Sequence, residues 1–210
     1  MRTFIICNGE ITNYNYTKNL IKEDDFIICA DGGTRHAFNM GIRPDLIIGD
    51  LDSTEDFYVD YYENHNIKFI KHPRDKDKTD THICILHALE FSEEIVLIGA
   101  LGSRIDHSLA NIFLLKLGLT KNIPIHIDDY QNQVFLMDKF IEISGNPNDF
   151  FSLIPFSGKV EGLNVKGAKY DLKDAELDMV SSLGISNAFK EKQVTISIEK
   201  GCLIVIKSID

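Results

Sequence analysis

Residues Leu46–Ser53 read LIIGDLDS. Three apolar residues run into Gly49, and two carboxylates, Asp50 and Asp52, follow one residue apart. A short, continuous, β-branched apolar run is expected of a strand covered on both faces, as in a parallel sheet. Acids directly beyond it stand at the carboxyl end of that strand, where open α/β sheets bind their ligands. In extended backbone, residues i and i+2 point the same way. Asp50 and Asp52 are therefore expected to aim at one point while Leu51 turns back to the core. Two carboxylates converging beside a low-dielectric wall repel unless a cation sits between them. Mg²⁺ suits such a place, since it takes a few carboxylates, waters and substrate phosphates.

The same rhythm extends on both sides. Strands are expected at Thr3–Cys7, Phe26–Ala30, Asp45–Gly49, Ile67–Ile70, Ile95–Ala100 and Ile123–Ile127. Helices are expected at about Thr34–Met40, Thr54–His65, Thr79–Phe91 and Asp106–Leu117. In the last, Leu109, Ile112, Phe113 and Leu117 share one face, and Gly118 reads as the stop. Alternation of this kind predicts an α/β domain, a mostly parallel sheet flanked by helices. From about Gln133 the strand-like runs VFLM, FIEIS, FFSLIPF, VEGLNV, QVTISI and CLIVI follow one another without helices. ISIEKGCLIVI reads as a hairpin with Gly201 in its turn. This half is expected to be an all-β antiparallel sandwich or barrel. The polar stretch Asp128–Asn132 marks the boundary, giving domains 1–128 and 129–210.

Four polar loops each follow an expected strand: ADGG (Ala30–Gly33), GDLDS (Gly49–Ser53), PRDKDKTD (Pro73–Asp80) and GALGSRIDH (Gly99–His107). In a parallel sheet all four gather at one edge. Asp80, at the start of the next helix, offers a third acid beside Asp50 and Asp52. Gly99 and Gly102 allow backbone to approach a phosphate, and Arg104 is placed to pair with it. Each motif alone also has a purely structural reading. ADGG is a tight turn, Ser53 an N-cap, and RDKDKTD a solvated loop in which Asp77 or Thr79 caps a helix. No Walker A or GxGxxG pattern is present. The seven histidines show no paired spacing for zinc, and only His107, beside Asp106, falls in one of these loops.

A net charge of −10 argues against nucleic acid as a partner. No apolar stretch approaches the ~20 residues of a membrane helix, so no membrane partner is expected. The N-terminal apolar run is too short for a signal peptide. Cys7, Cys29, Cys84 and Cys202 have no zinc-like or CxxC spacing and read as buried thiols of a reducing compartment, hence a cytoplasmic protein.

Six segments together resemble the thiamin pyrophosphokinase (thiamin diphosphokinase) family. They are DGG (Asp31–Gly33), PDLIIGDLDS (Pro44–Ser53), DKDKTD (Asp75–Asp80), GSRIDH (Gly102–His107), GAKYDLKDAEL (Gly167–Leu177) and SLGISNAF (Ser182–Phe189). The resemblance spans nearly the whole chain. It implies pyrophosphoryl transfer from ATP to the hydroxyl of thiamin, with Mg²⁺ as cofactor and a homodimer as the assembly. By motif it implies Asp50, Asp52 and Asp80 as metal ligands, with Asp31 and Asp106 completing an acidic ring. Asp31, Gly32, Gly33, Lys76, Gly102, Ser103 and Arg104 would face ATP. Tyr170, Ser186 and Asn187 would line the thiamin pocket. The proton acceptor would be Asp106 or Asp80. Ser103 stands where the family often has a second glycine, Lys76 where some relatives carry Gln, and Tyr170 where Trp is frequent. A nucleotide hydrolase or transferase with another acceptor, and a binding module without turnover, are the alternatives.

Overall fold

The computed structural model describes residues 1–75 and 77–209, which form two compact units, Met1–Tyr130 and Gln131–Asp210. The first unit holds six strands: β1 (Arg2–Ile6), β2 (Phe26–Ala30), β3 (Leu46–Gly49), β4 (Lys68–Lys71), β5 (Glu94–Ile98) and β6 (Ile125–Asp128). All pair in parallel, in the order β6-β5-β1-β2-β3-β4. Ile5, Ile28, Ile47, Ile95 and Leu97 are fully buried, as both-face coverage requires. β4 is the outer strand, and its Lys68 and Lys71 are exposed, which blunts the edge.

The helices are α1 (Tyr14–Leu20), α2 (Thr34–Met40), α3 (Asp56–Asn64), α4 (Asp80–Ala88), α5 (Ile105–Leu114) and α6 (Lys116–Lys121). The Asn13 side chain caps α1 by accepting from the Tyr16 amide at 3.0 Å. Gly118 does not end a helix. It lies inside α6, where a Cβ would come within 2.5 Å of the Ile123 carbonyl oxygen, and left-handed Asn122 makes the stop instead. Close packing, not chain reversal, is what this glycine serves.

The chain runs outward from β1 through β4, then returns to place β5 on the other side of β1. The order therefore reverses at β1, and the loops after β1 and β5 diverge to leave a crevice at the carboxyl ends of the strands.

The second unit has two antiparallel sheets. One contains β7 (Asn132–Met137), β9 (Phe150–Pro155), β12 (Asn187–Ala188) and β14 (Leu203–Ser208), ordered β12-β9-β14-β7. The other contains β8 (Phe140–Ser144), β10 (Val160–Lys166), β11 (Leu172–Leu177) and β13 (Gln193–Ser197), ordered β11-β10-β13-β8. The expected hairpin at Gly201 is not formed, because β13 and β14 belong to different sheets. A hairpin would set them side by side. The crossover instead lets Val194 and Ile196 of one sheet meet Leu203 and Val205 of the other in a single core. Gly201, at φ 109°, turns the corner against the Lys159 carbonyl.

None of the four cysteines forms a disulfide, and all are buried. No helix among the described residues is long and apolar enough to cross a membrane.

Candidate active site

Gly49 ends β3 directly against the turn that follows β2. A Cβ on it would lie 2.9 Å from the Asp31 Cβ, so only a glycine lets Asp31 and Asp50 come together here. Asp31 opens a short 3₁₀ turn, Asp31–Gly33, in left-handed backbone (φ 44°), and is 6% exposed. Its carboxylate accepts from the Thr54 hydroxyl at 2.9 Å and the Ser53 amide at 3.3 Å. Burial pushes its pKa up, those two donors pull it down, and the charges of Asp80 and Asp50 push it up again, with a net rise.

Asp50 and Asp52 do converge, though by another route than the extended backbone expected from the sequence. Leu51 is left-handed (φ 66°) and packs on the buried cluster that includes Ile47 and Tyr62. The turn folds back so that the Asp52 amide donates to Asp50 Oδ1 at 3.1 Å. A bulky side chain in that conformation is costly, and the packing of Leu51 against the core is what offsets it. Asp52 also accepts from the Ser53 hydroxyl and pairs with Arg74 at 3.1 Å.

One carboxylate oxygen from each of Asp31, Asp50 and Asp52 lies within 4.8 Å of the others. Three acids so close, one of them buried with a raised pKa, fit a divalent cation. Asp80 is not part of that trio. It stands at the first position of α4, after the Thr79 cap, and lines a cavity of about 670 Å³ that Asp31 and Ser53 also line. That size is within the range of small-molecule sites.

The cavity fills the crevice between the loops after β1 and β5. Gly102, Ser103, Arg104 and His107 line it. Asp106 does not line it. Asp106 holds Arg104 in an exposed ion pair at 2.6 Å, which keeps its own pKa low. Gly32 and Gly33 are buried beneath the site and do not line the cavity. A Cβ at Gly33 would meet the Ile6 carbonyl oxygen at 2.0 Å, and one at Gly32 the Asn8 amide group at 2.4 Å. They let the turn dock on β1. Lys76 lies outside the described residues.

In the second unit, Tyr170, Ser186 and Asn187 gather near β12. Asn187 is buried, and its side chain donates to the Tyr170 carbonyl at 2.8 Å and accepts from the Tyr170 amide at 3.1 Å. Tyr170 is left 59% exposed, with Lys169 Nζ 5.4 Å from its ring centre. Ser186 is left-handed and donates its amide to the Ser152 hydroxyl.

Sequence reasoning missed the loop after β1. Asn8, Glu10 and Tyr14 line the cavity, as do Arg35 and His36 from α2 and Asn111 from α5. The Asn-Gly pair at Asn8–Gly9 follows a strand just as the other four motifs do, and that placement was the available signal.

Two family models match the chain: thiamin pyrophosphokinase, catalytic domain, over residues 17–127, and thiamin pyrophosphokinase, vitamin B1 binding domain, over residues 140–203. The thiamine pyrophosphokinase of Bacillus subtilis is 34% identical over 186 residues, which cover 87% of each chain. Thiamine pyrophosphokinase 1 of Arabidopsis thaliana is 29% identical over 204 residues, covering 85% of this chain and 76% of the relative. The crystal structure of the Bacillus subtilis thiamine pyrophosphokinase superposes with a TM-score of 0.91 at 30% identity, with all of both chains covered. The chain is an enzyme of the thiamin pyrophosphokinase family.

Proposed function

We propose that this enzyme transfers the pyrophosphoryl group of ATP to the hydroxyl of thiamin, giving thiamin diphosphate and AMP. The observation that carries the reading is the convergence of Asp31, Asp50 and Asp52 beside the cavity at the β1/β5 crevice. In this reaction the thiamin oxygen bonds to the β-phosphorus, and the bond from that phosphorus to the α–β bridging oxygen breaks. The electron pair leaves with AMP.

Phosphoryl-type transfer depends mainly on positioning and charge neutralisation. Mg²⁺, when bound by Asp50 and Asp52 with Asp31 or Asp80, would offset the charge of the phosphate oxygens. Arg104, Gly102 and Ser103 face the phosphates in this reading. The hydroxyl proton goes to Asp80, which lines the cavity, in preference to Asp106, which is engaged by Arg104. Tyr170 supplies a ring for the cationic thiazolium, held in place by Asn187, with Ser186 beside it. Residues 1–128 would then be the ATP and Mg²⁺ domain and 129–210 the thiamin domain. The enzyme works as a cytoplasmic homodimer; thiols without disulfides support that compartment.

Asp52→Ala tests the metal assignment. The lost ion pair to Arg74 is an exposed one and costs under about 1 kcal/mol, so the fold survives. Turnover is expected to fall by about 10²–10³-fold, the scale of losing a principal electrostatic group. Full activity in folded Asp52→Ala would contradict the assignment.

A further inference from the structure

The turn after β1 is clamped from two sides, and a third element backs one of them. From the β5 loop, the Gly99 and Leu101 carbonyls accept from the amides of Gly9 (2.7 Å) and Glu10 (3.0 Å). No side chain fits at Gly9, where a Cβ would lie 2.3 Å from the Gly99 carbonyl oxygen. From α2, Arg35 donates to Asn8 Oδ1 at 3.0 Å and to the Asn8 carbonyl at 3.2 Å. Also from α2, His36 Nε2 stands 2.9 Å from the Gly9 carbonyl oxygen. From α1, the Tyr14 hydroxyl stands 2.7 Å from His36 Nδ1 and accepts from the Asn39 amide at 3.3 Å.

These contacts settle the histidine's tautomer. A carbonyl oxygen can only accept, so Nε2 carries the hydrogen and donates to Gly9. His36 is 3% exposed; burial lowers its pKa, the hydrogen bond to the Gly9 carbonyl pulls it back up in part, and Arg35 lowers it further, with a net fall, so the ring is neutral at neutral pH. Nδ1 then accepts from the Tyr14 hydroxyl. Tyr14 thus orients the ring, and the ring holds the turn.

We propose that His36, oriented by Tyr14, is a positioning residue for the nucleotide: its Nε2–H fixes the Asn8–Gly9 turn that forms the backbone wall of the cavity. The inference rests on reading that cavity as the nucleotide site. A wall displaced by about 1 Å is enough to lose up to ~10²-fold in a site built on positioning. The sequence marks His36 only as an unpaired histidine on a helix. Its function comes from the carbonyl it reaches, not from metal or proton chemistry.

The test is calorimetric binding of Mg·ATP, without thiamin, to full-length wild type, His36→Phe and His36→Gln, with thiamin binding and Tm measured alongside. His36→Phe removes the donor to Gly9, and the dissociation constant for Mg·ATP is expected to rise about fivefold to tenfold, the scale of one buried hydrogen bond lost. Thiamin affinity and binding stoichiometry should hold. His36→Gln can still donate to the carbonyl and is expected to stay within about twofold of wild type. A purely structural role would lower the stoichiometry or Tm and leave the dissociation constant in place, and that result overturns the proposal. So does an unchanged constant in folded His36→Phe. Should His36→Phe fail to fold, Tyr14→Phe decides: about a threefold weaker Mg·ATP constant supports the proposal, and no change overturns it. Wild type that binds Mg·ATP but forms no AMP once thiamin is added would sink the functional reading and leave this inference standing. Wild type that binds no nucleotide would sink both.

Discussion

Asp31 carries the clearest electrostatic cost in the chain. It is buried, it faces the charges of Asp50 and Asp80, and its pKa is raised despite two hydrogen-bond donors. A carboxyl with a folded pKa above its unfolded value binds its proton more tightly in the native state. Stability therefore falls as pH rises through the interval from about 3.9, the ordinary value, to the raised one. Above that interval the penalty is fully present. Asp31→Asn removes the charge, so the metal-free variant should melt about 3 °C above metal-free wild type at pH 7, for a gain of ~1 kcal/mol. Near pH 3 the difference should vanish. Added Mg²⁺ should raise the wild-type Tm more than that of the variant, since a cation relieves the same repulsion. Equal melting at pH 7 and pH 3 would show that no such repulsion is stored. Asp50 and Asp52 were legible as a pair from their spacing. The positive φ of Leu51 was not, because local sequence does not say that a leucine will be anchored in a distant core.

At the scale of elements, glycines decide what can approach what. The first turn after β2 docks on β1 only because Gly33 has no Cβ; one would sit 2.0 Å from the Ile6 carbonyl oxygen, which is backbone in the middle of the sheet. Gly33→Ala is therefore expected to destabilise the protein by roughly 2–3 kcal/mol, the cost of overpacking a well-filled core. It should also weaken Mg·ATP binding, since Asp31 rides on the same turn. Denaturant unfolding of the variant at unchanged m-value checks the first effect. A stability within 0.5 kcal/mol of wild type, roughly the scatter of neutral surface changes, would show that the turn can move freely.

The parallel strands were legible because both-face burial leaves continuous apolar runs. Helix α1 was not, since seven residues with Thr17 as the one buried position carry no apolar period, and its only signal is the Asn13 cap. The supposed hairpin at Gly201 failed for a related reason. Alternation and a glycine specify a reversal, but not whether the second strand returns to the same sheet or to the facing one.

For the whole molecule, the arrangement that matters is four acid-bearing loops, joined by the loop after β1, at the carboxyl edge of one parallel sheet. That gathering followed from the strand–helix alternation alone. The strand order did not, and it is the order that puts the loops after β1 and β5 next to each other and opens the cavity between them. An excess of negative charge over the whole chain is compatible with a polyphosphate ligand only if local cations and a metal reverse the sign inside the site. In the proposed reading Arg104, shared with exposed Asp106, would supply part of that reversal. The measurement that bears most directly on the account is nucleotide analysis after mixing the purified protein with ATP, Mg²⁺ and thiamin, each omitted in turn. AMP formed only when all three are present is the predicted result. ADP in place of AMP, or no nucleotide turnover by folded protein, would contradict it.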